Sequence, residues 1–554
     1  MLTIRKERFW TLLGKSLDDD SLTELLHDLG LDIEEMNEES FRVEYNPNRP
    51  DYSSPVGVAR AAKGLLGLEV GAPRYRLKPP KVSVKVDPKL WNIRPYIVSA
   101  VVKGLRLGLE ELEELIAMQE DLHWVLGRDR RKVSIGLHNF DTVRPPFYYK
   151  AVGGRDVEFV PLGDWRRMTP EEILSKHEKG VKYAHIIRGK PLYPMLMDSR
   201  GEVLSFPPII NSILTELSEE TRNIFIDITG TDLIAINYAL NILTTALEEM
   251  GGTVEQVRIR YNYKDMPKTM VTPNYRMKKW EIKLDYINEV LGLEIGIREA
   301  AKALRRMRHG VKISGKILKV TPPPYRVDIM HPIDLVEDVA MGLRYGVLEP
   351  KQPETLTYGS LHVLTRIEEA VRSTMLGLGY TEVMNFTLTN EEDEYLKMGV
   401  KPHPHVKLMN PVSREYSIVR TWLLPSLMRN LSYNKRNLYP QRLFEVGDIV
   451  LPDENLPEKA RRVLRLGCVT CHADASYSEI KSTLEEILRN LMVEGWGIKP
   501  FDEKPFLEGR AAQIIWGEKV VGVMGEIHPE VLENWELEMP TAGLELYLQA
   551  LLKT

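Results

Sequence analysis

Residues 326–340 have the sequence RVDIMHPIDLVEDVA, which places four carboxylates beside one junction between a strand and a helix. If Pro332 leads into a helix that begins near Asp334, then Glu337 and Asp338 follow three and four residues later, on the same face. The opposite stripe of that helix is apolar and can be buried, which leaves the carboxylates facing a cleft, a partner or solvent. The stretch therefore predicts an amphipathic helix with one acidic side, in a small domain of helices and sheet.

Two interpretations of this acidic face are open. Like charges within one helical turn repel one another by roughly a few tenths of a kcal/mol per pair, so a compensating cation is expected, and hard oxygen ligands suit magnesium. Asp334 followed by Glu337 also matches a capping box, and the helix dipole favours acidic residues in a first turn without any metal. Spacing alone favours capping, because such caps are common.

Composition indicates a folded protein of several domains. The chain has 554 residues, of which 43% are hydrophobic and 28% charged, and at roughly 100 to 200 residues per domain this length predicts three to five domains. Its charged N-terminal residues, its two cysteines and the lack of a run of about 18 apolar residues predict a cytoplasmic protein without a membrane span. The formal net charge of −5 argues against nonspecific coating of nucleic acid, which depends on Lys and Arg.

Two basic runs stand out against this acidic background. They are RDRRK at residues 128–132 and RRMRH at residues 305–309. Because basic runs are commonplace on protein surfaces, both are expected to form solvated faces.

The periodicity of the chain predicts an α+β protein of four parts. Residues 1–85 indicate a compact α/β unit, 86–265 a large α+β module, 266–346 the small acidic module, and 350–554 antiparallel strands with helices. The proline-rich, basic stretch 73–81 is expected to be the linker between the first two parts.

Some short motifs do not indicate chemistry. Residues 468–472, CVTCH, match a haem attachment pattern, but they lie in a strand-like run, where residues three apart point to opposite faces, so structural cysteines are expected. The sequence contains no P-loop and no Gly-x-Gly-x-x-Gly motif opening a helix, which argues against a nucleotide site of either kind.

A series of motifs follows in a fixed order along nearly the whole chain. They are NRPD at 48–51, GVAR at 57–60, DIMH at 328–331, DLVEDV at 334–339, NPVS at 410–413, LLPSL at 423–427, LFEVG at 443–447 and GEIHPEVL at 525–532. Each is weak alone, but in this order the sequence resembles the beta subunit of phenylalanine-tRNA ligase, of the archaeal and eukaryotic type.

The resemblance implies a role for the acidic stretch. Asp328, Asp334, Glu337 and Asp338 match the family positions that hold magnesium at the boundary with an alpha subunit. This favours the metal over capping, with capping as a second role of Asp334, and Arg326 is expected to neutralise or orient the cluster.

The resemblance also implies what each part does in a multidomain α+β fold. It makes 1–85 an N-terminal α/β domain, 86–265 a tRNA-editing-like domain, 266–346 a magnesium-binding module and 350–554 a degenerate class II aminoacyl-tRNA synthetase-like core. The segment RLFE at 442–445 lacks the arginine arrangement that grips ATP. The resemblance implies a two-alpha two-beta heterotetramer, in which the alpha subunit binds ATP and phenylalanine is attached to its tRNA.

The editing-like domain is implied to hydrolyse tyrosine wrongly attached to that tRNA. An apolar synthetic pocket rejects an added hydroxyl only by about a hundredfold, so a second pocket with a polar partner for the hydroxyl is needed. The matching positions are Leu196, Ser205, Asp227 and Thr229, of which Asp227 or Thr229 is expected to bind the phenol or to position water. Ordinary hydrogen bonding at strand ends is the alternative for both.

A noncatalytic regulatory scaffold built on the same core is the alternative function. The complete editing-like domain favours the aminoacylation subunit, because a scaffold alone has no need of such a domain.

Overall fold

Separate β-sheets divide this chain into modules. The computed structural model describes residues 1–264, 266–350, 352–353 and 357–551. They separate into two units, Met1–Gln352 and Pro353–Thr554, so the division after residue 352 lies beside the predicted start of the last domain at 350. None of the described helices is long and apolar enough to cross a membrane.

The first module is a three-stranded antiparallel sheet covered by helices. Its strands are β1 (Leu2–Arg5), β2 (Asp32–Met36) and β3 (Ser40–Glu44), in the order β1-β3-β2, and its helices are α1 (Lys6–Leu13), α2 (Asp19–Asp28) and α3 (Pro55–Leu65). Asp18 caps α2 by accepting a hydrogen bond from the Ser21 backbone N–H at 2.8 Å. Phe9 packs edge-on against Phe41, which joins α1 to the sheet.

The second module is built on a ten-stranded sheet. Its strands are β4 (Lys78–Val86), β5 (Tyr96–Lys103), β6 (Val133–Asn139), β7 (Phe147–Val152), β8 (Tyr193–Met197), β9 (Val203–Phe206), β10 (Ile210–Asn211), β11 (Asn223–Gly230), β12 (Thr253–Arg260) and β13 (Thr269–Thr272). The order is β10-β9-β8-β7-β4-β12-β5-β11-β6, with β13 beside β12. The helices are α4 (Leu109–Val125), α5 (Pro170–Lys176), α6 (Glu178–Tyr183) and α7 (Leu233–Glu249).

Strand β11 has both faces buried, and its two faces meet different surroundings. Ile224, Ile226 and Ile228 pack in the apolar cluster that contains α7, whereas Phe225 belongs to a cluster on the other face of the sheet. Because side chains alternate along a strand, Asp227 shares the face of Phe225, away from α7.

The structure moves two predicted domain boundaries. Strand β4 pairs in parallel with both β12 and β7, so the interpretation of residues 73–81 as a linker is wrong from Lys78 onward, and the second module begins before residue 86. Pro79 and Pro80 hide this strand in the sequence, and they lie at a register shift in its pairing with β12, between Lys78 and Val82. Strand β13 pairs with β12, which carries the same module past residue 265.

The third module contains the acidic helix. Its strands are β14 (Trp280–Lys283), β15 (Gly310–Ser314) and β16 (Ile317–Thr321), in the order β14-β16-β15, and its helices are α8 (Leu284–Leu291), α9 (Ile297–Arg306) and α10 (Pro332–Leu343). Leu335, Val336 and Val339 are buried against α9 and the sheet. The predicted helix and its apolar stripe are therefore confirmed.

The second unit is a seven-stranded sheet with helices. Its strands are β17 (Thr381–Glu382), β18 (Leu388–Thr389), β19 (Ile418–Val419), β20 (Gln441–Pro452), β21 (Ala460–Cys471), β22 (Trp496–Pro500), β23 (Phe506–Trp516), β24 (Lys519–Ile527) and β25 (Thr541–Leu546). The order is β17-β20-β21-β25-β24-β23-β22, with β18 and β19 as a separate pair. The helices are α11 (Val363–Gly377), α12 (Leu424–Tyr433), α13 (Tyr477–Asn490) and α14 (Pro529–Asn534).

The two cysteines lie in different parts of the core, as expected for strand residues three apart. Cys468 and Cys471 are both buried near the end of β21, each in a separate apolar cluster. Burial raises the pKa of both thiols, which makes them poor thiolate nucleophiles.

The basic runs are not simply solvated faces. Arg130 and Arg308 are each 6% exposed, and His309 is fully buried. Both arginines have positive φ angles, of 65° and 67°, so the backbone turns through a left-handed conformation there. The prediction of solvated faces is wrong for these residues.

Candidate functional site

The second module holds a cavity of about 130 Å³ beside the ends of β9 and β10. Its wall includes Ser205 from β9, Gly136 from β6 and Asp227 from β11, together with the apolar side chains of Phe206 and Pro208. An engineered apolar cavity of about 150 Å³ binds benzene, so this space is of the size that an aromatic ring needs. Charged and polar side chains line much of the rest, so the cavity has mixed polarity, with the Asp227 carboxyl group on its wall.

Asp227 is held through one of its two oxygens. Its Oδ2 accepts a hydrogen bond from Ser205 Oγ at 3.2 Å and lies 2.7 Å from His138 Nε2. His138 Nδ1 lies 2.8 Å from Thr215 Oγ1, and all four residues are buried. Among the hydrogen bonds of the described residues, none engages Asp227 Oδ1. The Asp227 carboxyl group is thus fixed through its Oδ2 atom. Its Oδ1 atom remains available to accept a hydrogen bond.

Gly136 makes room for this arrangement. It lies directly opposite Asp227 in the pairing of β6 with β11. A Cβ atom at Gly136 would lie 2.3 Å from Asp227 Oδ2 and 2.7 Å from His138 Nε2, closer than nonbonded atoms approach. Only glycine permits the carboxyl group and the imidazole to meet here.

The structure separates the four predicted pocket residues. Ser205 and Asp227 are brought together on the cavity wall. Leu196 pairs with Ser205 in register, yet it is fully buried in an apolar cluster and does not line the cavity. Thr229 Oγ1 accepts a hydrogen bond from Arg94 Nε at 2.9 Å, and Thr229 is also absent from the wall. Of the two expected phenol partners, Asp227 is the one that reaches the cavity.

His138, Gly136 and Arg130 are candidate functional residues that sequence reasoning missed. A glycine inside a strand pattern signals close approach, and Ser134 to His138 contains one. Arg130 lines the cavity with Lys179, and it donates hydrogen bonds to the Ile209 carbonyl at 3.0 Å and to Glu120 at 2.7 Å. The cavity wall therefore carries two cations, one of which is paired with Glu120 on the same wall.

The acidic module gathers its charges around Arg326. The Nη2 of this buried guanidinium lies 2.6 Å from Asp328 Oδ2 and 2.8 Å from Asp338 Oδ2. His309 Nε2 lies 2.5 Å from the same Asp338 oxygen. Although burial raises the pKa of Asp338, Arg326 and His309 together hold it below its ordinary value. Arg326 thus pairs with two of the four predicted metal ligands, Asp328 and Asp338.

The other two carboxylates have different surroundings. Asp334 Oδ2 accepts hydrogen bonds from the backbone N–H groups of Met330 and His331, both at 2.7 Å, so it caps α10. Glu337 is exposed, and no described residue forms a hydrogen bond or an ion pair with its side chain. Desolvation by partial burial, and then the neighbouring charge of Asp338, raise the pKa of Glu337. Four carboxylates lie here against one paired guanidinium, that of Arg326, which leaves an excess of negative charge.

These residues fit a magnesium site only in part. Their oxygen donors suit a hard cation, and the excess charge at Glu337 attracts one. However, the described residues contain no group of three or more His, Cys, Asp or Glu side chains arranged to hold a metal. The magnesium site of all four carboxylates stays a prediction.

Comparison with known proteins agrees with this organisation. Residues 280–345 match the tRNA synthetase B5 domain, and residues 348–548 match the phenylalanyl-tRNA synthetase beta chain CLM domain. The Phenylalanine--tRNA ligase beta subunit of Archaeoglobus fulgidus is 43% identical over 551 residues, covering 99% of this chain and 98% of that protein. This chain belongs to the phenylalanine-tRNA ligase beta-subunit family.

Two further members of the family extend the comparison. The beta subunit of Methanocaldococcus jannaschii is 40% identical over 555 residues, covering 99% of this chain and all of that protein. The crystal structure of an N-terminal fragment of the beta subunit from Pyrococcus horikoshii is 42% identical, with a TM-score of 0.59, and covers 62% of this chain and 99% of the fragment. The resemblance inferred from the ordered motifs is therefore confirmed.

The ion pairs of Asp338 predict a clear asymmetry within α10. Asp338→Asn leaves Arg326 with less compensation in a buried site, so we expect it to lower the free energy of unfolding of the first unit by about 3 kcal/mol. Glu337→Gln is the matched control one residue away, and it should change stability by less than about 0.5 kcal/mol. Urea unfolding of both variants measures this, and equal effects would contradict the assigned role of Asp338.

Proposed function

We propose that this chain acts as the beta subunit of phenylalanine-tRNA ligase, and that it hydrolyses tyrosyl-tRNA formed by mistake. In this proposal an alpha subunit binds ATP and joins phenylalanine to its tRNA, within a two-alpha two-beta heterotetramer. Family membership supports the first part. The proposal that this chain does not bind ATP is supported by Arg442. Its guanidinium donates a hydrogen bond to Glu479 at 2.8 Å, so it is not free to bind a phosphate group.

Asp227 Oδ1 is the proposed acceptor for the phenol O–H of tyrosine. This oxygen has no hydrogen-bond partner among the described residues, while Ser205 and His138 fix the carboxyl group through Oδ2. Phenylalanine in the same cavity would leave the carboxyl group buried without that partner. A site built to bind a substrate hydroxyl rejects the analogue that lacks it by about 10⁴-fold or more. The pocket therefore prefers the amino acid that the synthetic site fails to exclude.

The reaction itself is the hydrolysis of an ester. Water adds to the carbonyl carbon, the bond from that carbon to the ribose oxygen breaks, and free tyrosine and the tRNA hydroxyl are released. The residues of this chain orient the side chain so that the ester lies at the cavity mouth, which supplies the positioning part of catalysis. Arg130 and Lys179 on the cavity wall are the proposed contacts for phosphates near the end of the tRNA.

For magnesium we propose a site that the alpha subunit completes. Among the four predicted ligands, Glu337 and the second oxygen of Asp334 are the carboxylate donors that Arg326 does not occupy. A bound Mg²⁺ would neutralise the charge excess at Glu337 and join the two subunits. Asp328 and Asp338 contribute in this proposal by fixing α10 through Arg326.

The editing proposal predicts a change of selectivity in the assembled enzyme. Asp227→Ala should slow the release of tyrosine from mischarged phenylalanine-specific tRNA by about 10- to 100-fold, because one hydrogen bond to a charged group is lost. Release of phenylalanine from the cognate ester should not slow. Initial rates with radiolabelled esters measure both.

The control for this experiment is Asp141→Asn, which changes an exposed carboxylate of the same module that is hydrogen bonded to Asn223. It should leave both rates unchanged. If the Asp227→Ala enzyme kept the selectivity of the wild type, the proposed role of Asp227 in binding the phenol would be contradicted. If the wild-type complex released no tyrosine, only the alternative function, a noncatalytic scaffold, would remain.

The magnesium proposal predicts that assembly depends on Glu337. The mass of the complex should correspond to two alpha and two beta chains in magnesium, and chelator should shift it toward smaller species. Glu337→Ala should make dissociation occur at higher magnesium concentration, while the unfolding midpoint of the isolated chain stays unchanged. Native mass spectrometry across a chelator titration measures this. If neither the chelator nor the Glu337→Ala substitution changed the mass of the complex, the proposal would be contradicted.

A further inference from the structure

A small void lies between the first and third modules, within the first unit. Its volume is about 10 Å³, and its wall is formed mainly by Arg49, Asp51, Arg60, Arg308 and Tyr325. A volume of roughly 10–15 Å³ holds one water-sized occupant. Three guanidinium groups and one carboxylate therefore surround a space for a single small ion or molecule.

The carboxylate in this wall is already engaged. Arg49 donates hydrogen bonds from Nε and Nη2 to the two oxygens of Asp51, both at 2.9 Å. The other two arginines have carboxylate partners of their own: Arg60 Nη1 donates to Glu249 at 3.3 Å, and Arg308 Nη2 donates to Glu69 at 3.0 Å. Neither Glu249 nor Glu69 lines the void.

Several donors of the same side chains have no partner. Arg60 Nε, Arg308 Nε, Arg308 Nη1 and the Tyr325 hydroxyl are buried, and none forms a hydrogen bond with a described residue. Leaving a buried donor unsatisfied costs about 1–3 kcal/mol, and more for a charged group. Arg60 also lies over the Tyr325 ring, with Cζ 3.4 Å from the ring centroid, so the two groups are held together.

We propose that this void binds a monatomic anion, a halide such as chloride. One water molecule accepts at most two hydrogen bonds, so it would leave at least two of the four donors without a partner. A halide can accept hydrogen bonds from more donors than one water molecule can. Because each arginine already has a carboxylate partner, the unpartnered donors, and not an excess of positive charge, would hold the ion. The anion would connect α3, which carries Arg60, to the turn after α9, which carries Arg308.

An entry route is present beside the void. A cleft of about 340 Å³ shares Arg60 and Arg308 with it, and the cleft wall adds Lys63 and Arg74. The glutamates Glu69 and Glu249 also lie along the cleft and limit the positive charge there. The more enclosed void is therefore the preferred position for the ion.

Bromide tests the site directly, because its anomalous scattering distinguishes it from water. Crystals of the full chain grown in sodium bromide should show one anomalous peak within hydrogen-bond distance of Arg60 and Arg308. In solution, chloride and bromide should raise the unfolding midpoint of the full chain relative to gluconate at the same ionic strength, with saturation.

Two tyrosine variants give the matched comparison. Tyr325→Phe removes one donor from the void wall while keeping the ring that Arg60 covers, and it should weaken the halide dependence about tenfold. Tyr75→Phe is the control, because Tyr75 lines only the cleft and hydrogen bonds to Glu249. It should leave the halide dependence unchanged.

Two results would overturn the proposal. One is a peak in the void without anomalous signal, which identifies water. The other is an unfolding midpoint that is the same in chloride, bromide and gluconate. If Tyr325→Phe failed to fold, Arg308→Lys, which keeps one charge but loses donors, would serve in its place with the same expected loss of halide dependence.

Discussion

A carboxyl group buried in the middle of a β-sheet needs hydrogen-bond partners, and the candidate pocket depends on how Asp227 meets that need. Its neighbour on the adjacent strand β6 is Gly136, which leaves the space. His138 from the same strand and Ser205 from the more distant strand β9 bond to one oxygen. Burial makes an unsatisfied acceptor costly. The same constraint that fixes the fold locally leaves Asp227 Oδ1 without a hydrogen-bond partner among the described residues. In the editing proposal, the phenol of tyrosine donates to this oxygen.

The acidic module solves the same physical problem differently. Asp338 is buried like Asp227, but its partners are the Arg326 guanidinium and the His309 imidazole, so its charge is compensated within the chain. Breaking such a buried pair is expensive even where its net contribution to stability is small. The carboxylates that fix α10 therefore differ from Glu337, which remains exposed beside other negatively charged side chains. An acidic motif in a sequence thus contains carboxylates that stabilise the fold and one that has no such partner among the described residues.

Local sequence patterns predicted the local secondary structure well. They did not predict contacts between residues that are far apart in the sequence. The helix from Pro332 and its buried stripe follow from a periodicity of 3.6 residues. The bond between His138 and Asp227 joins residues 89 positions apart, and no spacing rule reaches that far. Resemblance supplied Ser205 and Asp227 but also Leu196 and Thr229, which the structure places off the cavity wall. Arg326 was expected to neutralise the acidic cluster, but which two carboxylates it holds required coordinates.

The position of a bound phenol is the most direct test of the central claim. A crystal structure of the full chain with a nonhydrolysable tyrosyl-adenosine should place the phenol oxygen within about 3.2 Å of Asp227 Oδ1, a normal hydrogen-bond distance. Ser205 and His138 should keep their contacts with Oδ2. A phenol bound at Thr229 or outside the cavity, with Asp227 Oδ1 still without a ligand, would contradict the account.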